Sequence, residues 1–106
     1  MEDDQDKPDP KGFINLSKKL LGDKLGSSNI PIAYVGDTIA DINTVINARK
    51  EIPSQKFISI GIAPPHLHLN SRLKERNSYE TNLRNAGADL ILNSIYDLKD
   101  INLNLF

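Results

Sequence analysis

Two carboxylates and a lysine are the residues here whose types and spacing suit chemistry. Asp37 and Asp41 stand four apart in "YVGDTIAD", and Lys7 precedes a proline in "DKPDPKGF". An aspartate following glycine at the end of an apolar run presents its carboxylate where ligands of open α/β sheets bind, outside the carboxyl ends of the strands. Gly36 lets the backbone come close to such a ligand. Asp41, four residues on, shares a helix face with Asp37. Two carboxylates in oxygen-rich surroundings suit a hard cation such as Mg2+. Asp41 has a second reading, because Thr38 and Asp41 spell the T-x-x-D of a capping box and a helix N-terminus favours negative charge in any case. Lys7 by itself reads as a solvated lysine in an acidic leader, residues 1–6, "MEDDQD".

Positioning these groups requires alternating helices and strands. Asp9 and Pro10 suit a helix start, with Phe13, Leu16, Leu20 and Leu21 recurring at helical spacing and Gly22 as a stop. "IPIAYVG" is apolar without polar alternation, as expected of a parallel strand covered on both faces. Ile39, Ile42, Val45 and Ile46 predict a second helix ending near Pro53, and "KFISIGIA" a second buried strand. "PPHLHLNSRLKERN" reads as a long loop with a basic middle. Ser78 is expected to cap a short helix closed by Gly87. "ADLIL" predicts a third strand, and "SIYDLKDINLNL" a last helix with Ser94 and Asp97 as its capping box. Helix and strand in strict turn predict an α/β fold, a three-layer Rossmann-like parallel sheet with right-handed crossovers.

Composition narrows the function classes. At 106 residues the chain is expected to form a single domain, and 39% apolar residues suffice for its core. A formal charge of −1 argues against a general nucleic-acid footprint, which needs a basic stripe. No cysteine is present, so disulfides and thiolate metal sites are excluded. No apolar run approaches the roughly 18 residues that span a bilayer, and the acidic N-terminus is unlike a signal peptide. The expectation is a cytoplasmic protein without membrane or nucleic-acid partners.

The combination of motifs carries more than its parts. K-P-x-P opening a helix, then a buried strand ending in G-D-x-x-x-D, resembles the third and fourth motifs of the haloacid dehalogenase-like (HAD) hydrolase superfamily. "AYVGDTIADINTVINARK", "ISIGIAPPH" and "NAGADLILNSIYDL" are similar to the C-terminal half of its subfamily I, from about Lys7 to Leu103. The resemblance implies a partial core of that family, and a Mg2+-dependent phosphatase type of activity. Carried over by residue, Asp37 helps hold Mg2+, with Asp41 as a further ligand or as an acceptor behind it. Lys7 neutralises the nucleophile and the phosphoryl oxygens. Such a division is physically sensible, since phosphoryl transfer spreads negative charge over the equatorial oxygens.

The family's nucleophile is an aspartate in D-x-D-x-[TV] at the end of an apolar strand, and that motif is absent. Asp4 and Asp6 spell D-x-D without a preceding strand. The second motif, a Ser or Thr closing another strand, is absent too. The sequence therefore reads as the back half of an enzyme, a fragment or split subunit that is inactive alone and binds Mg2+ weakly. A small phosphorylated substrate is implied only once the missing half is supplied. In the family sheet the nucleophile strand pairs beside "IAYVG", so that flank is expected to recruit an N-terminal-half partner or a second copy of the chain.

Two rival classes stand beside this reading. A receiver domain also combines acidic residues with Lys-Pro, but there Lys-Pro follows the phosphorylated aspartate, the reverse of the order here. A non-catalytic α/β interaction module is the other. His66 and His68 form H-x-H, a spacing that can bind a transition metal, yet no third ligand lies nearby and a loop reading is favoured. The resemblance puts "GIAPPH" on the active-site side, with His66 facing substrate. Arg72, Lys74 and Arg76 read as a solvated loop face.

Overall fold

The computed structural model describes residues 9–27 and 29–103. The acidic leader and Lys7 lie outside the described residues. The chain is α/β, and its three strands, β1 (Ile32–Gly36), β2 (Phe57–Ile62) and β3 (Leu90–Leu92), form one parallel sheet in the order β1-β2-β3. Helix α1 (Lys11–Leu21) precedes β1, α2 (Ile39–Glu51) joins β1 to β2, and α3 (Leu73–Ala86) joins β2 to β3. In register, Ile32 lies beside Phe57, Gly36 beside Gly61, and Ile62 beside Leu92. The carboxyl ends of the strands therefore finish level, and β1 is an outer strand of this sheet.

The helices pack on one sheet face. Phe13 and Ile14 of α1 and Val45 and Ala48 of α2 close over Ile32 and Phe57. The Phe13 ring meets Tyr34 edge-on at 5.1 Å and Phe57 at 5.2 Å. Helix α3 joins the same face, where Leu83 is buried against Gly61. Because side chains alternate along a strand, Ile58, Ile60 and Leu92 point to the opposite face. Among the described residues they are covered there by the C-terminal segment, through Leu98, Ile101 and Leu103. The third layer is thus thin.

Four local expectations are corrected. First, α1 carries one broad apolar stripe, and its buried side holds Phe13, Ile14 and Ser17 with Leu21 at its edge, leaving Leu16 and Leu20 59% and 74% exposed. Asp9 does serve the helix start, its Oδ1 accepting from the Lys11 N–H at 3.0 Å. On α2, Ile42 and Val45 are buried but Ile39 lies 48% exposed in the first turn.

Second, α3 begins at Leu73 rather than at Ser78, so the expected loop is short 3-10 turns (Pro65–His68, Asn70–Arg72) followed by helix. Only Leu83 of this helix is buried, so no apolar stripe announces it. Its signature is instead the charge spacing of Arg72–Glu75 (3.1 Å) and Arg76–Glu80 (3.0 Å), and the basic residues sit on its first turns.

The third correction is the last element, a 3-10 segment (Ile95–Asp100) and not an α-helix. Leu98 and Ile101 recur every third residue, the period of a 3-10 turn, and this aligns them on the sheet. Ser94 Oγ accepts from the Tyr96 N–H at 3.2 Å, while Asp97 contributes only its backbone N–H, so there is no capping box. The fourth concerns His66 and is a matter of the site below.

At the far end of the sheet Arg49 acts as a staple. Its guanidinium donates to the Phe57 carbonyl and to Asp89, whose Oδ2 also accepts from the Ser59 N–H at 2.8 Å. No helix among the described residues is long and apolar enough to cross a membrane.

Candidate functional site

The level strand ends open into a cleft of about 620 Å3, walled by Gly36 and Asp37 after β1, Ala63 and Pro64 after β2, and Asn93 and Ser94 after β3. Asp37, the aspartate singled out by its place after glycine, lies in this wall. Its main chain is held from two sides. The Asp37 N–H donates to Asp41 Oδ2 at 3.1 Å, and the Tyr79 hydroxyl, arriving from α3, donates to the Asp37 carbonyl. Its carboxylate takes no hydrogen bond or ion pair among the described residues. The loop is clamped and the charged group is left over for a ligand.

Asp41 is spent differently. It is 2% exposed, and its carboxylate accepts from the Tyr34 hydroxyl (3.1 Å) through Oδ1. Through Oδ2 it accepts from the Asp37 and Thr38 N–H groups (both 3.1 Å) and the Thr38 hydroxyl (2.9 Å). Thr38 Oγ1 in return accepts from the Asp41 N–H at 3.1 Å, which completes the capping box of α2. Of the two carboxylates, that of Asp37 is the one without a hydrogen bond among the described residues. A buried anion at the head of α2 also occupies the place an external anion would take at a helix N-terminus.

The two histidines part company. Residues two apart in a 3-10 turn point about 120° from one another, so His68 lines the strand-end cleft while His66 lines a separate crevice with Lys74, Ser78 and Tyr79. The expectation that His66 faces the site is therefore corrected to His68. No group of three His, Cys, Asp or Glu side chains that could hold a metal comes together among the described residues. One unpaired carboxylate by itself falls short of the six oxygens that Mg2+ demands. Tyr79 had no sequence signal, and His68 was marked only together with His66 as H-x-H. One sits in a polar helix, and the other is told apart from its neighbour only by the turn.

Tyr79 binds its proton more tightly than an ordinary tyrosine. Burial is the main cause, and the negative charges of Asp37 and Asp41 add to it. In the unfolded chain the same hydroxyl ionises near pH 10.0. Between that value and the raised one, the unfolded state holds fewer protons, so stability falls as pH rises. This contribution is intact below about pH 10 and is lost as pH climbs through the folded-state value. We expect Tyr79→Phe to be less stable than wild type at neutral pH but to lose less stability under alkaline conditions. Urea midpoints measured across that range check this, and parallel curves for the two proteins would contradict it.

No protein-family model matches the chain, and no curated protein or solved structure is significantly similar to it.

Proposed function

We propose that these residues form the lysine- and carboxylate-bearing half of a haloacid dehalogenase-like phosphohydrolase site, acting on a small phosphorylated molecule once a nucleophile aspartate is supplied from elsewhere. The observation that carries this reading is the Asp37 carboxylate, left without a partner among the described residues at the mouth of a parallel sheet while its own backbone is clamped by Asp41 and Tyr79. Order along the chain supports it as well, with K-P-x-P before the strand and G-D-x-x-x-D at its end.

In this reading Asp37 contributes one ligand to Mg2+, which when bound supplies positive charge to phosphoryl oxygens. Asp41 holds the turn that presents Asp37 and does not reach the ion, since its oxygens are already taken. Lys7 balances the phosphoryl charge. With one free carboxylate the described residues do not complete a Mg2+ site.

An interaction module without catalysis competes with this reading, and the exposed Leu16 and Leu20 favour it. Titrating Mg2+ while following backbone amide resonances separates the two. We expect weak, fast-exchange shifts centred on Gly36 and Asp37 that vanish in Asp37→Asn. Submicromolar binding would mean a complete site and overturn the half-site reading. The absence of any shift at Asp37 would leave the interaction module.

A further inference from the structure

We infer that His68 is an oxyanion contact of the strand-end cleft, donating to a phosphate-like ligand from Nδ1 when its ring is protonated. The inference rests on the reading that an anionic substrate enters this cleft. Geometry carries it. His68 Nε2 lies 2.7 Å from the Ala63 carbonyl oxygen, which can only accept, so Nε2 bears the hydrogen and the neutral ring keeps its lone pair on Nδ1. Nδ1 has no partner among the described residues. A second proton therefore goes to Nδ1 and leaves the anchoring bond to Ala63 in place. The ring is already held where it is needed, which lowers the entropy lost when a ligand binds.

Charge explains why this contact matters. Cleft-facing titratable groups on the β1–α2 turn are Asp37 and Asp41, the latter consumed by its four hydrogen bonds. Beside them, Tyr34 of β1 donates its hydroxyl to Asp41. The C-terminal segment offers Asn93, Ser94 and Ile95, none of them titratable. On the other side of the His68 turn, α3 presents Lys74, Glu75 and Tyr79 to His66 and Leu67. No lysine or arginine among the described residues lines the cleft. A protonated His68 then supplies the positive charge that offsets Asp37, and histidine is the side chain that changes charge in the physiological range.

Sulfate is the probe, because it stays a dianion throughout that range and does not itself titrate. Amide shifts of Gly36, Asp37, Ala63 and Asn93 are followed at constant ionic strength without Mg2+, in wild type, His68→Gln and His66→Gln. Glutamine can still donate to Ala63 but carries no charge. Wild type and His66→Gln should bind sulfate about tenfold more tightly at about pH 5.5 than at about pH 8, as fits one added charge-assisted hydrogen bond. His68→Gln should show no such gain. An acid gain of equal size in His68→Gln overturns the assignment. Sulfate shifts at the strand ends that ignore pH in all three proteins overturn it too, while leaving the anion-site reading standing. Absence of cleft shifts in every protein at either pH sinks both.

Discussion

Purified alone and supplied with Mg2+, the 106-residue chain is expected to release phosphate from small phosphomonoesters no faster than its Asp37→Asn variant. The covalent step of the proposed chemistry needs a nucleophile, and none stands in the cleft. Asp37 lines it, but as the strand-end carboxylate and not in a D-x-D-x-[TV] motif. Ser94 Oγ accepts from the Tyr96 N–H and makes no hydrogen bond to a histidine base among the described residues. In the proposed site, the charge balance that Lys7 and a cation at Asp37 would supply does not replace bond formation. In hydrolases that lose their nucleophile, turnover falls by about a millionfold even with the electrostatic groups intact. Phosphate release from both proteins decides the matter. A contaminating phosphatase gives equal rates in the two. Turnover in wild type that disappears in Asp37→Asn would show a complete active site, and the half-site reading would fail.

Gly36→Ala is expected to destabilise the fold by about 3 to 5 kcal/mol, a large share of the roughly 5 to 15 kcal/mol that holds a domain together. A Cβ at this position would stand 2.3 Å from Asp41 Cβ and 2.5 Å from its Cγ. Neither neighbour can yield cheaply. Gly36 is fixed beside Gly61 in the sheet, and Asp41 is fixed by the capping box it makes with Thr38. Pushing the carboxylate away costs the cap, about 1 kcal/mol. It also takes the acceptor from the Asp37 and Thr38 N–H groups in a part-buried setting, at about 1 to 3 kcal/mol for each group left unsatisfied. Urea unfolding of the variant measures the loss. The double variant with Asp41→Gly should lose less than the sum of the two single changes, because it removes the Cβ and Cγ that the new side chain would meet. A Gly36→Ala protein within about 0.5 kcal/mol of wild type would mean that the turn tolerates a side chain.

Both expectations concern the same few residues after β1, and the sequence marks those residues locally. An apolar run without polar alternation, a glycine, an aspartate and a T-x-x-D lie within "IAYVGDTIAD", and strand end, close approach and helix cap each have a signature a few residues long. The same holds for the alternation of helix and strand that predicts a parallel sheet. Elements with weak local signals were less legible. Helix α3 buries only Leu83, so its first turn reads as loop, and the final 3-10 segment shows a period of three that is easily taken for a helix.

Sequence by itself determined the α/β class, the three strands and the position of Asp37 at a strand end, because each follows from periodicity or turn chemistry within one element. Tertiary structure alone decided which side of the α1 apolar stripe is buried, and that, among the described residues, Asp41 turns inward to backbone and hydroxyl donors while the Asp37 carboxylate takes no hydrogen bond. It also put His68 instead of His66 in the cleft, and brought Tyr79 across 42 residues to the Asp37 carbonyl. The reason is physical. Such choices depend on which surfaces meet when helices dock on the sheet, and a contact between residues far apart in the chain leaves no period in either segment.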